Sequence, residues 1–278
     1  MKTPAKKRFG QHFLRDTGVL GRITRLIDPM PGDVVIEIGA GDGALSVRLA
    51  PAVARLLAIE LDVDCLQPLT ASLAPFPSAV VIQGDILELD LGDIARAQLK
   101  PGQRLRAVGN LPYNIATAII QKLLRSPLPI ADMLFMVQLE VAERITAAPG
   151  SRKFGLLSVH SQHLSEVGMA FKVSSACFVP RPRVTSAIVT FRPRRRPLDP
   201  VFEACFIELV GAAFNHRRKT LANSLRRHPS LSAGSATLLS EAGIDGSRRP
   251  EDLSVNEYEQ LVYTLLRLRR GQDIGPQG

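Results

Sequence analysis

Residues 33–43 read Asp33-Val-Val-Ile-Glu-Ile-Gly-Ala-Gly-Asp-Gly43, a β-branched apolar run that ends in three closely spaced glycines. A short continuous run of this kind predicts a strand buried on both faces, as in a parallel sheet. The glycines predict a tight turn into a helix over residues 44–50, where a ligand can lie against the backbone without meeting a Cβ. This strand, turn and helix predict an α/β fold with a ligand site at the turn.

Strands and helices continue to alternate on the C-terminal side of this turn. Strands are predicted over residues 55–60, 79–84, 105–109 and 133–138, and helices over residues 64–73, 115–125 and 140–148. This alternation predicts an open parallel sheet that is covered by helices on both faces. Two closing strands are predicted over residues 167–173 and 184–191.

Residues 192–200 contain three prolines, which stop both helix and sheet. Beyond them, Phe202, Phe206 and Leu209 follow a helical spacing. We therefore predict three parts: a basic N-terminal arm over residues 1–15, an α/β catalytic domain over residues 16–196, and a small all-helical domain over residues 197–278.

The bulk composition is that of a globular protein. The 278 residues are 45% hydrophobic and 22% charged, and no apolar run approaches the ~18 residues of a membrane-spanning helix. The three cysteines are far apart in sequence, so they predict neither a disulfide framework nor a zinc site. We expect a cytoplasmic protein with no membrane partner.

Positive charge is concentrated in two segments. The net charge of the chain is +9, and residues 181–227 alone contain 11 Lys and Arg against 3 Asp and Glu. Residues 1–8 contain four more basic residues and no acidic one. This segregation fits a polyanionic partner such as a nucleic acid, although a solubilising surface has the same composition.

Two acidic residues follow predicted strands on the carboxyl-end side. Glu60 ends the second strand, 21 residues after Gly39, where its carboxylate can accept hydrogen bonds from two ribose hydroxyls. That feature fits a nicotinamide dinucleotide and S-adenosylmethionine equally. Asp85 ends the third strand, where a carboxylate can accept from the adenine amine of an adenosyl group. Together with the motif after the fourth strand, Asp85 favours S-adenosylmethionine.

That motif is Asn110-Leu-Pro-Tyr113. The N6 amine of adenine is a poor nucleophile, because its lone pair is delocalised into the ring. Two fixed acceptors, the Asn110 side-chain oxygen and a backbone carbonyl beside Pro112, can hold its hydrogens and aim the lone pair at a methyl donor. Tyr113 offers a face on which the base can stack. The motif alone does not separate adenine in RNA, adenine in DNA and a protein glutamine amide.

Taken together, these motifs make the chain resemble the small-subunit (16S) ribosomal RNA adenine dimethyltransferases, the KsgA/RsmA family. The resemblance covers nearly the whole chain, and its motifs are specific. The matching segments are Lys7-Arg-Phe-Gly-Gln-His-Phe-Leu14, Val35-Ile-Glu-Ile-Gly-Ala-Gly41, Ala58-Ile-Glu-Leu-Asp62, Gly84-Asp-Ile86, Gly109-Asn-Leu-Pro-Tyr-Asn-Ile115, residues 178–182, Val184-Thr-Ser-Ala187 and Ala213-Phe-Asn-His-Arg-Arg-Lys-Thr-Leu-Ala-Asn-Ser-Leu225.

The resemblance implies a Rossmann-like class I methyltransferase sheet followed by the small helical domain. It implies S-adenosylmethionine as cofactor, S-adenosylhomocysteine as product, and methylation of two adjacent adenines in a hairpin loop to N6,N6-dimethyladenosine during small-subunit biogenesis. The implied cofactor-binding residues are His12, Leu14, Gly39, Gly41, Glu60, Asp85, Ile86 and Asn110. The implied catalytic residues are Asn110, Leu111, Pro112, Tyr113 and Phe178, with Tyr113 and Phe178 on either side of the target base. Position 12 is often asparagine in the family, which leaves the side-chain role of His12 open.

The resemblance also predicts the partner. Arg183, Arg217, Arg218 and Lys219 are expected to bind phosphates of the small-subunit rRNA in the assembling 30S subunit, with the protein as a monomer. No metal is expected, even though His160 and His163 are three residues apart on a predicted helix. Two alternatives remain: a large-subunit (23S) rRNA adenine methyltransferase of the resistance type, and a ribosome-assembly factor with secondary catalysis.

Overall fold

The computed structural model describes residues 11–194, 199–216 and 218–272. The chain divides into two compact units. The sheet unit comprises Met1–Ala142 and Ser165–Pro193, and the helical unit comprises Glu143–Leu164 and Arg194–Gly278. Arg217 and most of the predicted basic arm lie outside the described residues.

The sheet unit is built on a mixed seven-stranded sheet within the described part of the chain, in the order β4-β3-β2-β5-β6-β9-β7. The first five strands of that order are mutually parallel. Strand β9 pairs antiparallel with β6, and β7 pairs antiparallel with β9. The short strands β1 and β8 pair with each other in an antiparallel ribbon. The strands are β1 (Phe13–Leu14), β2 (Asp33–Ile38), β3 (Arg55–Glu60), β4 (Ala79–Gln83), β5 (Arg104–Asn110), β6 (Ile130–Gln138), β7 (Ser165–Val173), β8 (Phe178–Val179) and β9 (Ser186–Pro193).

Helix α1 (Thr17–Ile27) precedes β2, helices α2 (Ser46–Leu49), α3 (Val63–Leu73), α4 (Leu91–Gln98) and α5 (Ala116–Leu124) connect the parallel strands, and α6 (Leu139–Ile145) follows β6. The alternating pattern predicted α2, α3, α5 and α6 but not α4. The predicted helix over residues 44–50 is shorter than expected, since a 3-10 turn over Ala50–Ala52, which contains a proline, follows α2 directly.

Helix α1 was not predicted, although its sequence has clear signals. Asp16 caps its N-terminus by accepting the Val19 backbone N–H at 2.8 Å, and Leu20, Ile23 and Ile27 form one buried face. That face packs into an apolar core against one side of the sheet. The strand residues in this core include Val35, Leu56, Ala58, Val108, Leu134, Met136, Val173 and Ile188.

A charged network joins three strands at the amino-terminal edge of the sheet. Arg106 on β5 donates to Asp33 at 3.0 Å and to Asp132 at 2.8 Å, and Arg104 donates to the other oxygen of Asp33 at 2.9 Å. Asp33 is only 1% exposed. Burial opposes its ionisation, but the hydrogen bonds from Arg104, the Met30 backbone and Arg106 outweigh burial and keep the pKa of Asp33 below its ordinary value.

The helical unit has a hydrophobic core of its own, which includes Phe206, Leu209, Leu225, Leu238 and Leu261. Its helices are α7 (Leu156–Leu164), α8 (Pro200–Phe214), α9 (Leu221–Arg226), α10 (Ser235–Glu241) and α11 (Val255–Gln272). None of the helices in the described ranges is long and apolar enough to cross a membrane.

The histidines of α7 lie inside this helical unit. The two ring nitrogens of His163 face Glu259 at 2.6 Å and Glu203 at 3.1 Å, and the ring stacks on Phe206. His160 lies edge-on to the same phenylalanine. These carboxylates are far from α7 in sequence and therefore could not be associated with it from spacing alone. Across residues 11–194, 199–216 and 218–272 the structure contains no group of three side chains arranged to hold a metal.

The division into units differs from the predicted boundary at residue 196. Residues 143–164 precede the last strands of the sheet in sequence but belong to the helical unit. The Gly150 backbone N–H donates to the Glu251 carbonyl at 2.7 Å, and Phe154 and Val159 join the core of that unit. A single boundary at the proline-rich segment assigns residues 143–164 to the sheet unit. Their membership of the helical unit depends on long-range contacts of α7 with α8 and α11, which local sequence patterns do not show.

Candidate active site

A cavity of about 250 Å³ opens at the carboxyl ends of the parallel strands in the sheet unit. Ligands of open α/β sheets bind at this edge, where the loops that follow neighbouring strands converge. Its walls come from the N-terminal segment, the turns after β2 and β4, the end of β3 and the β5–α5 connection. The lining residues are Gln11, His12, Phe13, Gly39, Gly41, Glu60, Leu61, Asp85, Asn110, Leu111, Pro112, Tyr113, Asn114 and Ile115.

The glycine turn after β2 forms one wall. Gly39 and Gly41 have φ of +70° and +60°, a region that side-chain-bearing residues rarely adopt. A Cβ on Gly39 would lie 3.2 Å from the Asn110 carbonyl oxygen, and one on Gly41 would lie 3.1 Å from the Phe13 ring. The absence of both Cβ atoms lets the turn approach the end of β5 and the N-terminal segment closely.

Glu60, at the end of β3, is held rigidly by the backbone. Its two carboxylate oxygens accept the Gly41 N–H at 2.7 Å and the Asp62 N–H at 2.8 Å. Burial raises the pKa of Glu60, although the backbone hydrogen bonds partly offset this effect. A fixed and largely buried acceptor at this wall suits a ligand with neighbouring hydroxyl groups.

Asp85 follows β4 at another part of the wall. Its Oδ1 accepts the Leu87 backbone N–H at 2.8 Å, which fixes the carboxylate in the turn. Leu61, the residue after Glu60, also lines the cavity and is 38% exposed, so it adds an apolar surface to the wall. The sequence patterns gave this residue no role. The wall thus combines acceptors with an apolar contact, as a nucleoside requires.

Asn110 ends β5 with its side-chain amide in a defined orientation. Its Nδ2 donates to the His12 backbone carbonyl at 2.8 Å. A carbonyl oxygen can only accept a hydrogen bond, so this contact assigns the amide nitrogen to His12 and leaves Oδ1 as the acceptor of the group. The backbone of Leu111 is fixed as well, since its N–H donates to the Met136 carbonyl at 3.1 Å.

Tyr113 lies next to this amide, in the connection between β5 and α5. Its hydroxyl is 2.6 Å from the Ser186 hydroxyl, and its ring centroid is 5.4 Å from that of His12, with 31° between the planes. Burial raises the pKa of Tyr113, and the hydrogen bond to Ser186 partly offsets the rise. His12 is itself anchored through Nδ1, which lies 2.8 Å from the Pro180 carbonyl oxygen.

A second, smaller cavity of about 50 Å³ lies beside the glycine turn and contains a buried acid. Glu37 on β2 is 3% exposed, and its Oε2 has no hydrogen-bond partner among the described residues. Burial, with a further contribution from the nearby negative charge of Glu60, raises the pKa of Glu37 to about 8. Sequence reasoning gave Glu37 no role, because a carboxylate inside a strand carries no motif that marks it as buried.

Most of the predicted site residues line the main cavity, but not all of them do. Leu14 lines the smaller cavity, while Ile86 and Phe178 are 5% and 2% exposed and line neither. Phe178 pairs with Leu14 across the β1–β8 ribbon and packs into the apolar core. The predicted residues that line the main cavity are His12, Gly39, Gly41, Glu60, Asp85, Asn110, Leu111, Pro112 and Tyr113.

The predicted phosphate-binding residues are exposed where they are described. Arg183 is exposed in the sheet unit, just before β9. Arg218 and Lys219 are exposed in the helical unit, in the turn between α8 and α9, where Thr220 caps α9 by accepting the Asn223 N–H. Arg217 lies outside the described residues.

Sequence comparison relates nearly the full chain to one family. The family described as "Ribosomal RNA adenine dimethylase" matches residues 2–271. A protein of Chromohalobacter salexigens named ribosomal RNA small subunit methyltransferase A is 46% identical over 93% of this chain and 90% of its own length. A protein of the same name from Xylella fastidiosa is 42% identical over 94% of this chain and 96% of its own length.

Structural comparison gives the same fold. A dimethyladenosine transferase from Plasmodium falciparum superimposes with a TM-score of 0.76 at 21% identity, covering 94% of this chain and 98% of that one. The 23S rRNA methyltransferase ErmE superimposes with a TM-score of 0.68 at 27% identity, covering 91% of this chain and 99% of that one.

Proposed function

Because the chain belongs to the ribosomal RNA adenine dimethylase family, we propose that it methylates N6 of two adjacent adenines in a hairpin loop of small-subunit rRNA. It is an S-adenosylmethionine-dependent methyltransferase. The choice of the small subunit over the large one rests on the relatives named for the small subunit, which are 46% and 42% identical, against 27% for the 23S enzyme of known structure.

The residues of the main cavity fit the cofactor. Glu60 would accept hydrogen bonds from the ribose hydroxyls, Asp85 would accept one from the adenine amine, and Leu61 would contact the adenine face. Gly39 and Gly41 expose backbone that a Cβ would otherwise cover. S-adenosylmethionine supplies a methyl group on a positively charged sulfonium, which makes that methyl electrophilic.

Asn110 is the residue on which the proposed chemistry depends. Its Nδ2 is held by the His12 carbonyl, so Oδ1 accepts one N6–H of the target adenine. A backbone carbonyl beside Pro112 accepts the other. By holding both hydrogens, Asn110 Oδ1 and this carbonyl would aim the N6 lone pair at the methyl group that bound S-adenosylmethionine would supply, and the proton displaced from N6 would leave to solvent. The protein contributes positioning and charge complementarity, without a covalent intermediate.

The target base stacks on Tyr113, which lies beside Asn110 at the cavity wall. Such a base must leave its helical stack, which costs least in a loop. Phe178 takes part only after a rearrangement, because its ring is 2% exposed in this structure.

Basic residues supply the contacts to RNA. The exposed side chains of Arg183, Arg218 and Lys219 bind phosphates of the small-subunit rRNA, together with Arg217, which lies outside the described residues. The substrate is the assembling 30S subunit, and the protein acts as a monomer in the cytoplasm. The helical unit, with its own core, serves as the RNA-binding domain.

Methyl transfer to separated ribosomal subunits tests this function. The protein is incubated with radiolabelled S-adenosylmethionine and with small or large subunits purified from cells that lack the modification. Label in small-subunit RNA supports the proposal. Label confined to large-subunit RNA would instead assign the activity of the 23S enzymes, and no label in either RNA would favour an assembly factor.

A further inference from the structure

Ser186 is a buried hydroxyl beside the site; it lies in the segment Val184-Thr-Ser-Ala187, and the sequence patterns gave it no role. It is the first residue of β9, it is 0% exposed, and its Oγ lies 2.6 Å from the Tyr113 hydroxyl. The backbone of Ser186 is held independently, because it pairs in register with Gln138 on β6 and with Val173 on β7. The sheet therefore does not require this hydroxyl, and its contact to Tyr113 needs another reason.

We propose that Ser186 is a positioning residue that fixes the ring of Tyr113 as the platform for the target adenine, an inference that rests on the proposed function. A tyrosine in a connection between a strand and a helix can turn about two side-chain bonds. A hydrogen bond at the hydroxyl end restrains both rotations, so the ring is ordered before the base arrives. The chain then avoids an entropic cost when the base binds.

The other side of the ring is restrained by the N-terminal segment. The His12 ring lies 5.4 Å from the Tyr113 ring, and His12 is anchored by the Pro180 carbonyl. The backbone carbonyl of the same histidine orients the Asn110 amide. His12 therefore contacts both Tyr113, on which the adenine stacks, and Asn110, which accepts from the adenine amine. Ser186 restrains Tyr113 only.

This arrangement predicts a specific pattern for Ser186→Ala. The turnover number for methyl transfer falls about fivefold, since only the order of the platform is lost. The affinity for S-adenosylmethionine stays within about twofold of the parent, because Ser186 does not line the cofactor cavity. Tyr113→Phe removes the same hydrogen bond from the other side, so the double variant loses no more activity than the single variants.

The three tyrosines of the chain, Tyr113, Tyr258 and Tyr263, allow a direct measurement of the ring. In protein labelled with 3-fluorotyrosine, ¹⁹F NMR gives one resonance for each tyrosine. Ser186→Ala shifts and broadens the Tyr113 resonance and leaves the other two unchanged. Thr190→Val is the matched control, because Thr190 is on the same strand and its hydroxyl contacts the Gly168 carbonyl instead. This control leaves all three resonances and the turnover unchanged.

Two results would overturn the inference: an unshifted Tyr113 resonance in Ser186→Ala, or additive losses of turnover in the double variant. If Ser186→Ala does not fold, Tyr113→Phe decides alone, and turnover equal to that of the parent overturns the inference. Failure of the proposed function is distinguishable, since the parent protein would then methylate no small-subunit RNA while the NMR comparison still reports the position of the ring.

Discussion

The proposed methyl transfer depends on the side chain of Asn110, whose Oδ1 accepts an N6–H of the target adenine. Asn110→Ala removes the Oδ1 acceptor and should lower methyl transfer by about 100-fold or more, the scale for losing one preorganised hydrogen-bonding group at a reacting centre. Cofactor affinity should change little. The measurement is single-turnover transfer to small subunits, with calorimetry for S-adenosylmethionine.

Asn110→Asp is the matched control for this prediction. It keeps an acceptor but replaces the amide nitrogen that donates to the His12 carbonyl at 2.8 Å. Two facing acceptors repel, so this variant should also lose activity. Transfer within a few-fold of the parent in both variants would contradict the assigned role.

Glu60 and Asp85 should determine cofactor affinity. Both line the cavity and are held by backbone N–H groups. Glu60→Gln and Asp85→Asn each weaken hydrogen bonds to the cofactor, and we expect each to lower its affinity by about 1–3 kcal/mol. Calorimetry on the folded variants measures the affinity for S-adenosylmethionine. If both variants bind the cofactor as tightly as the parent, this cavity is not the cofactor site.

Glu37 predicts a dependence of stability on pH. Its pKa is raised from 4.5 to about 8 in the folded protein. Between these two values the folded chain binds one proton more than the unfolded chain, so this group lowers the free energy of unfolding as the pH rises. The slope approaches about 1.4 kcal/mol per pH unit within that window.

Glu37→Gln removes this titration and keeps the shape of the side chain. Its free energy of unfolding relative to the parent should therefore increase between pH 5 and pH 8, a range that spans most of the shift from 4.5 to about 8. Urea denaturation at several pH values measures the difference. A difference that is independent of pH would mean that Glu37 is ionised in the folded protein.

At the scale of secondary structure, the parallel strands and the turn after β2 were predictable because their signals are local. A buried apolar run that ends in glycines needs no long-range information to be recognised. The location of the proposed cofactor-binding residues was predictable for the same reason, since the carboxyl ends of neighbouring parallel strands meet at one edge. The acidic positions Glu60 and Asp85 accordingly lie at the cavity, as expected.

Other features depend on contacts that the sequence does not display. Residues 143–164 belong to the helical unit through contacts with segments roughly a hundred residues away. The burial of Phe178 follows from the β1–β8 ribbon, in which each strand has only two residues and no sequence pattern of its own. The partner of Tyr113, Ser186, lies 73 residues further along the chain.

The charged network on β2, β5 and β6 should stabilise the sheet without affecting the site. Arg106→Met leaves the carboxylate of Asp33, which is 1% exposed, with Arg104 as its remaining arginine partner. We expect a loss of about 3 kcal/mol in the free energy of unfolding, as for other broken buried pairs. Cofactor affinity should not change, because this network lies at the opposite edge of the sheet from the cavity.

Denaturant unfolding tests this prediction, with Asp132→Asn as the comparison. The Asp132 side chain is 30% exposed, so removing its charge should cost less than about 1 kcal/mol. Equal losses in the two variants would contradict the importance of Asp33 as the buried partner.

For the whole molecule, the distribution of positive charge predicts how binding responds to salt. Arg218→Glu and Lys219→Glu together should weaken binding to small-subunit rRNA and reduce the dependence of affinity on salt, since fewer counterions are released. Cofactor affinity should stay the same. Filter binding at several salt concentrations provides the measurement.

Arg25→Glu and Lys100→Glu form the control with the same change in net charge. Both residues are exposed: Arg25 lies in the last turn of α1 and Lys100 precedes β5, at the edge of the sheet away from the cavity. They should leave the salt dependence near that of the parent. The same reduction in both double variants would mean that net charge, and not a local contact, governs RNA binding.

Nucleoside mass spectrometry of small subunits decides whether the protein dimethylates two adjacent adenines of small-subunit rRNA. Subunits that lack the modification are incubated with the protein and S-adenosylmethionine, and their RNA is digested and mapped. We predict N6,N6-dimethyladenosine at two adjacent positions of one hairpin loop in small-subunit rRNA. Monomethyladenosine as the only end product, or dimethyladenosine found only in large-subunit rRNA, would contradict the proposed dimethylation of small-subunit rRNA.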